Sequence, residues 1–146
     1  CTQVVIMAVT IGPNLESAIQ EHFDKGDYTH ALLLDAAATT MVETGADLLE
    51  GYIKSLAQRK GCSTRWRFSP GYGDWPIEQQ PELIRLTHAT EIGISLSSSM
   101  MLIPRKSITA IIGLYKEDKM ANTRSDHDLH GCSACDRVDC PSRKSE

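Results

Sequence analysis

The chain has 146 residues, 41% of them hydrophobic, and a formal net charge of −4 with acids and bases interspersed. That is enough apolar material for one compact core plus a tail, and interspersed charge excludes a phosphate-tracking nucleic-acid surface, which needs clustered cations. No segment has the length of a membrane span or the layout of a signal peptide, and three of the five cysteines crowd within nine residues near the C-terminal end, which reads as metal chemistry in a reducing compartment, so a cytoplasmic protein is expected.

The chain opens on Cys1 and runs straight into apolar residues, which reads as a fragment whose upstream part helps complete the fold. Residues 4–9 (VVIMAV) are a short β-branched run that predicts a buried strand. Gly12 and Pro13 break it, and Asn14 is placed to cap a helix over 15–23 that stops near Gly26. The surest helix spans 27–60. Leu33, Ala37, Met41, Leu48, Leu49, Tyr52, Ile53 and Leu56 recur at three- and four-residue intervals and predict one apolar stripe. Ala36, Ala37, Ala38 and Gly45 are small enough to let a sheet or another helix come close, and Gly61 ends the helix. Asp35, boxed in by apolar neighbours, is the least comfortable of its acids; Glu43, Asp47 and Glu50 read as a solvated face.

Residues 62–68 alternate Thr64, Trp66 and Phe68 against Arg65 and Arg67, the pattern of a half-exposed strand. A further helix is expected from about 77 or 81 to about 90. Residues 100–103 and 108–115 then read as two strands joined in a hairpin around 104–107. The methionines at 7, 41, 100 and 101 read as core filler. After Tyr115 the apolar residues thin out, which divides the chain into a domain over 1–115 and a polar tail over 116–146.

Two stretches carry chemistry. Residues 67–76 (RFSPGYGDWP) pack an arginine, two prolines, two glycines and two aromatic rings into one turn. Residues before proline are pushed out of the α region, and Gly71 and Gly73 can adopt positive φ and let a ligand approach the backbone. Such a turn suits a small anionic ligand with a flat ring; the plainer alternative folds Tyr72 and Trp75 onto the core. In the tail, Cys132, Cys135 and Cys140 stand as C-x2-C-x4-C behind His127 and His130. Three thiolates could hold zinc, with His130, His127 or Cys62 as fourth ligand, or an iron–sulfur cluster. Incidental cysteines in an inert tail are the alternative. His22, His30 and His88 are expected to be scattered, without a partner at ligand spacing. No nucleophile elbow, Walker loop or G-x-G-x-x-G is present, and no catalytic residue is evident.

Arg67-Phe68-Ser69-Pro70-Gly71-Tyr72, the helix after it, and residues 92–104 (IGISLSSSMMLIP) followed by Ser107, Ile108 and Thr109 together resemble the activation domain of cobalamin-dependent methionine synthase. That family carries R-x-x-P-G-Y, a helix, and a strand of the type L-T-E-S-x-x-M-x-P. The resemblance covers about residues 31–114. It implies an α+β domain, a twisted antiparallel sheet flanked by helices around one long central helix, that binds S-adenosylmethionine. By implication it closes over the cobalamin-binding domain of methionine synthase, or of another corrinoid protein, during reductive reactivation with electrons from a flavodoxin or ferredoxin. Carried over by position, Arg67 would bind the ligand's carboxylate, Ser69, Pro70 and Gly71 would line the site, and Tyr72 and Ser98 would face the corrin. Ser98 stands where the family has glutamate, and the cysteine-rich tail is foreign to the domain in methionine synthase. A corrinoid-docking module without ligand binding, and an iron–sulfur or zinc redox accessory protein, are the alternatives.

Overall fold

A computed structural model describes residues 3–116. The apolar run near the start forms β1 (Gln3–Thr10), and Gly12, at φ +77°, turns the chain out of it. Helix α1 (Asn14–Asp24) follows. Pro13, not Asn14, occupies its cap position and offers no side-chain cap; Asn14 is already helical. The long helix α2 (Tyr28–Arg59) begins at Asp27, whose carboxylate accepts the backbone N–H of His30. Gly26 and Gly61, both at positive φ, close α1 and α2 as their residue type leads one to expect.

Strand β2 (Ser63–Thr64), a 3-10 turn (Ile77–Gln79), α3 (Gln80–Thr87), a second 3-10 turn (Ala89–Ile92), β3 (Ser95–Leu96), β4 (Leu102–Ile103) and β5 (Ser107–Tyr115) complete the order. β5 is the centre of a three-stranded antiparallel sheet, with β1 on one side, in register from Gln3 opposite Leu114 to Thr10 opposite Ser107, and β2 on the other.

Period-two alternation decides which layer each strand residue joins. Met7, Ala110 and Ile112, with Val5, Val9 and Ile108 against them, pack on Ala46 and Ile53 of α2. The next residue along β1, Ala8, points the other way and packs with Leu96 and Leu102 against Ile84, Ala89 and Ile94. The sheet therefore lies between α2 and α3, while α1 packs on α2. The fold is α+β with one long central helix, as the sequence indicates.

Four expectations are corrected. Residues 100–103 and 108–115 are not a hairpin: β4 pairs with β3 in a separate two-stranded ladder, and β5 pairs with β1 and β2. The intervening Pro104 follows a cis peptide bond and leads the chain from one ladder to the other. The buried face of α2 is Ala31, Ala38, Val42, Ala46, Ile53 and Ala57, so of the expected stripe only Ile53 is buried, with Leu49 partly buried beside it. Leu33, Met41, Leu48 and Tyr52 are exposed, Leu48 at 72%. Small residues win the inner face because they let the helix sit close to the sheet; a Cβ added at Gly45 would lie 3.3 Å from Val9 Cγ1. The strand expected over 62–68 is regular only at Ser63–Thr64, then returns for a single bridge between Phe68 and Ile111. Of the methionines read as core, only Met7 is buried; Met41 and Met101 are exposed.

Candidate functional site

The break in that strand creates the site. Arg65 donates its N–H to Gly113 at 2.8 Å, and Phe68 and Ile111 exchange backbone hydrogen bonds at 2.9 and 2.8 Å. Proline has no N–H to give to a ladder, so pairing stops at Pro70 and the chain peels away from β5. The end of β5 with Ser107, Ile108 and Thr109, paired with β1 on one edge and left without a strand on the other, becomes the floor of a cavity of about 600 Å3. One wall is the turn after Phe68, and the other is Met100, Met101 and Leu102 at the entry to β4.

The turn is tightly drawn. Gly71 N–H donates to Trp75 O at 2.8 Å, and Trp75 N–H returns to Tyr72 O at 3.1 Å. Gly71 and Gly73 sit at φ +89° and +58°, where a side chain is strained, and a Cβ on Gly71 would also lie 3.2 Å from Ile77 Cδ1. The two aromatic rings separate. Trp75 stacks on Phe68 with ring centroids 6.0 Å apart and planes within 10°, whereas Tyr72 is 68% exposed and borders the cavity.

Arg67, Ser69, Pro70 and Tyr72 all line the cavity; Gly71 shapes the turn without lining it. Ser98 is exposed in the loop between β3 and β4 and does not line it either. The Arg67 guanidinium is not free. Nη2 donates to Glu43 at 2.9 Å, and Nη1 to Asp47 at 2.5 Å and Glu50 at 2.7 Å. Burial works against its charge, but the hydrogen bonds it donates to Asp47 and Glu50 outweigh that and raise its pKa above the ordinary arginine value. A fork expected to await a ligand carboxylate is engaged by three carboxylates of α2, because positions 43, 47 and 50 fall on one helix face. That i, i+4, i+7 spacing was legible, although the acids were read as solvated.

Among the wall residues, Gln80 and Arg105 carried no functional reading in the sequence, Glu43 was expected on a solvated face, and Met100 and Met101 were expected in the core. Glu43, Gln80, Met100, Met101, Arg105 and Thr109 all border the cavity. Gln80 is buried and donates from Nε2 to Thr109 Oγ1 at 2.7 Å, while its Oε1 is buried with no hydrogen-bond partner among the described residues. An acceptor of that kind at a cavity wall suits a ligand with polar edges. Asp35 has a plain structural role: it pairs with Lys106 Nζ at 2.8 Å and ties α2 to the start of β5.

The expected metal ligands Cys132, Cys135, Cys140, His130 and His127 lie outside the described residues. Cys62 is a free, half-buried thiol. His22 and His30 are not scattered: their rings stack at 5.6 Å and both meet Asp27. Sequence spacing hid this because the two histidines stand on different helices.

No helix among the described residues is long and apolar enough to cross a membrane. No curated protein matches the chain. The family described as vitamin B12-dependent methionine synthase, activation domain, matches residues 2–123, and the two segments that carry the resemblance, the 67–72 turn and the strand ending at Pro104, are the two walls of the cavity. The chain belongs to the activation-domain family of vitamin B12-dependent methionine synthase.

Proposed function

We propose that the cavity between the 67–73 turn and Met100, Met101 and Leu102 binds S-adenosylmethionine, and that the domain thereby assists reductive remethylation of a partner's cobalamin. The observation that carries this reading is the convergence of both motif-bearing segments on one cavity of about 600 Å3, within the range of roughly 300–1,000 Å3 usual for small-molecule sites. The wall chemistry fits the ligand: apolar Ile77 and Leu102 with the thioethers of Met100 and Met101 for its flat and aliphatic parts, Tyr72 at the mouth, and Gln80 inside. One guanidinium against three carboxylates leaves the Arg67 cluster with surplus negative charge, which favours a cationic ligand such as a sulfonium with an α-ammonium.

In this reading the ligand's carboxylate replaces Glu43 on Nη2 of Arg67. The Glu43 side chain is 53% exposed, so of the Arg67 partners on α2 it can swing into solvent more readily than the 28% exposed Glu50. Glu43, displaced, meets the α-ammonium. Bound S-adenosylmethionine supplies an electrophilic methyl group, which a cobalamin reduced by one electron from a flavodoxin or ferredoxin accepts. Arg67, Glu43 and Tyr72 bind and orient; they transfer nothing themselves.

Titration calorimetry of the full chain with S-adenosylmethionine tests the proposal. One equivalent should bind, Arg67→Ala should weaken binding at least tenfold, and Glu43→Gln should leave carboxylate recognition in place. Absence of binding, or indifference to both Arg67→Ala and Tyr72→Ala, removes the reading. The committed state of Arg67 favours a second one, a docking module for a corrinoid protein without ligand. Capture of a cobalamin domain that ignores both S-adenosylmethionine and Arg67→Ala would establish it instead. For the cysteine-rich tail we propose a thiolate-held metal, zinc or an iron–sulfur cluster; metal and sulfide analysis of anaerobically purified chain distinguishes them, and metal-free chain rejects both.

A further inference from the structure

The turn between α1 and α2 brings together three metal-ligating side chains that the cavity does not use. His22 lies in the last turn of α1, Asp27 caps α2, and His30 lies in the first turn of α2. His22 Nδ1 is 3.0 Å from Asp27 Oδ2, and His30 Nδ1 is 2.8 Å from Asp27 Oδ1. One ligand atom from each residue falls within 4.8 Å of the others.

We propose that His22, Asp27 and His30 form a binding site for a divalent transition-metal ion of the zinc type, which clips α1 to α2. Two imidazoles and one carboxylate are the borderline donors such an ion prefers, and a fourth position is left for water. Metal–ligand bonds near 2.0–2.2 Å in tetrahedral geometry separate neighbouring donors by about 3.3 Å. The two histidine–carboxylate gaps need to open by only a few tenths of an ångström, and the two histidine ligand atoms lie within 4.8 Å of each other. Side-chain exposures of 36%, 39% and 67% for His22, Asp27 and His30 leave the ion a way in.

The site is separate from the ligand cavity. His30 and Glu43 are thirteen positions apart on one helix, about 20 Å along its axis. The ion is structural: it joins the end of α1 to the start of α2, at the opposite end of α1 from Glu16, whose carboxylate accepts the Lys106 N–H. It does not depend on S-adenosylmethionine binding or on the tail.

Zinc stoichiometry of the full chain after equilibration and desalting tests this, with His22→Ala/His30→Ala as comparison. Metal held by the tail cysteines is common to both chains, so the difference isolates the clip. The native chain should retain one more equivalent and should show a zinc-dependent rise in unfolding temperature that the double variant lacks. Asp27→Asn keeps a capping side chain but loses the anionic ligand, so it should fold normally and bind at least tenfold more weakly. Equal stoichiometry in the native and doubly substituted chains overturns the proposal, as does unchanged affinity in Asp27→Asn.

Discussion

Gln80 and Thr109 show how much a single pair decides at the cavity. Both are buried between α3 and β5, and the amide of one donates to the hydroxyl of the other at 2.7 Å. Thr109→Val removes the acceptor and leaves a buried amide with neither end satisfied, a loss of about 1–3 kcal/mol. Gln80→Leu combined with Thr109→Val removes both polar groups and should recover most of that loss. Urea unfolding of the two variants checks this; equal destabilisation would mean that the pair does not act as a unit. Arg67 belongs to the same scale. Its residue type and its turn were readable in the sequence, but not its partners, since Glu43, Asp47 and Glu50 reach it only because α2 runs beside the 67–73 turn.

At the scale of the element, α2 overturns the rule that the largest apolar residues mark the buried face. Ala46 is fully buried against β1 and β5, whereas Leu48, two residues on, is among the most exposed side chains described. Ala46→Leu should therefore destabilise by about 1–3 kcal/mol through overpacking, while Leu48→Ala should change stability by less than about 0.5 kcal/mol. Thermal unfolding of both, at equal ionic strength, separates the two faces; a larger effect at Leu48 would assign the wrong side to the sheet. Helix periodicity identified α2 to within a residue at each end. It could not choose between two faces that both satisfy a 3.6-residue repeat, because that choice depends on how closely the sheet approaches.

At the scale of the whole molecule, ion pairing among the described residues moves carboxylate pKa values in one direction. Glu21 is lowered by its hydrogen bond from Lys25, Asp27 by that from His30, and Glu82 by that from Arg85. A carboxylate depressed in the folded state stabilises the fold above its unfolded pKa, and that contribution is lost as pH falls through the folded value. Stability should thus be level above about pH 5 and fall below about pH 4. Because these groups are exposed, the fall should be shallower in high salt. Unfolding midpoints across pH 2–6 at two ionic strengths check both points; a loss confined to pH above 5 would point to other groups.

The sequence by itself determined the three helices and the strands β1 and β5, because period-two and period-3.6 patterns and glycines after helices act locally along the chain; the α+β class and the family followed from the resemblance that the R-x-x-P-G-Y turn and the segment ending at Pro104 carry. It also marked both walls of the cavity, since each is a contiguous motif. Only the tertiary structure decided that β5 pairs with β1 rather than β4, which face of α2 is buried, that Arg67 is held by acids 17 to 24 positions away, and that His22, Asp27 and His30 converge. The first three depend on the distance between segments far apart in sequence, which is set by the closeness that small residues permit and the point where a proline ends a ladder; the fourth depends on the angle at which the short turn between α1 and α2 brings two helix ends together.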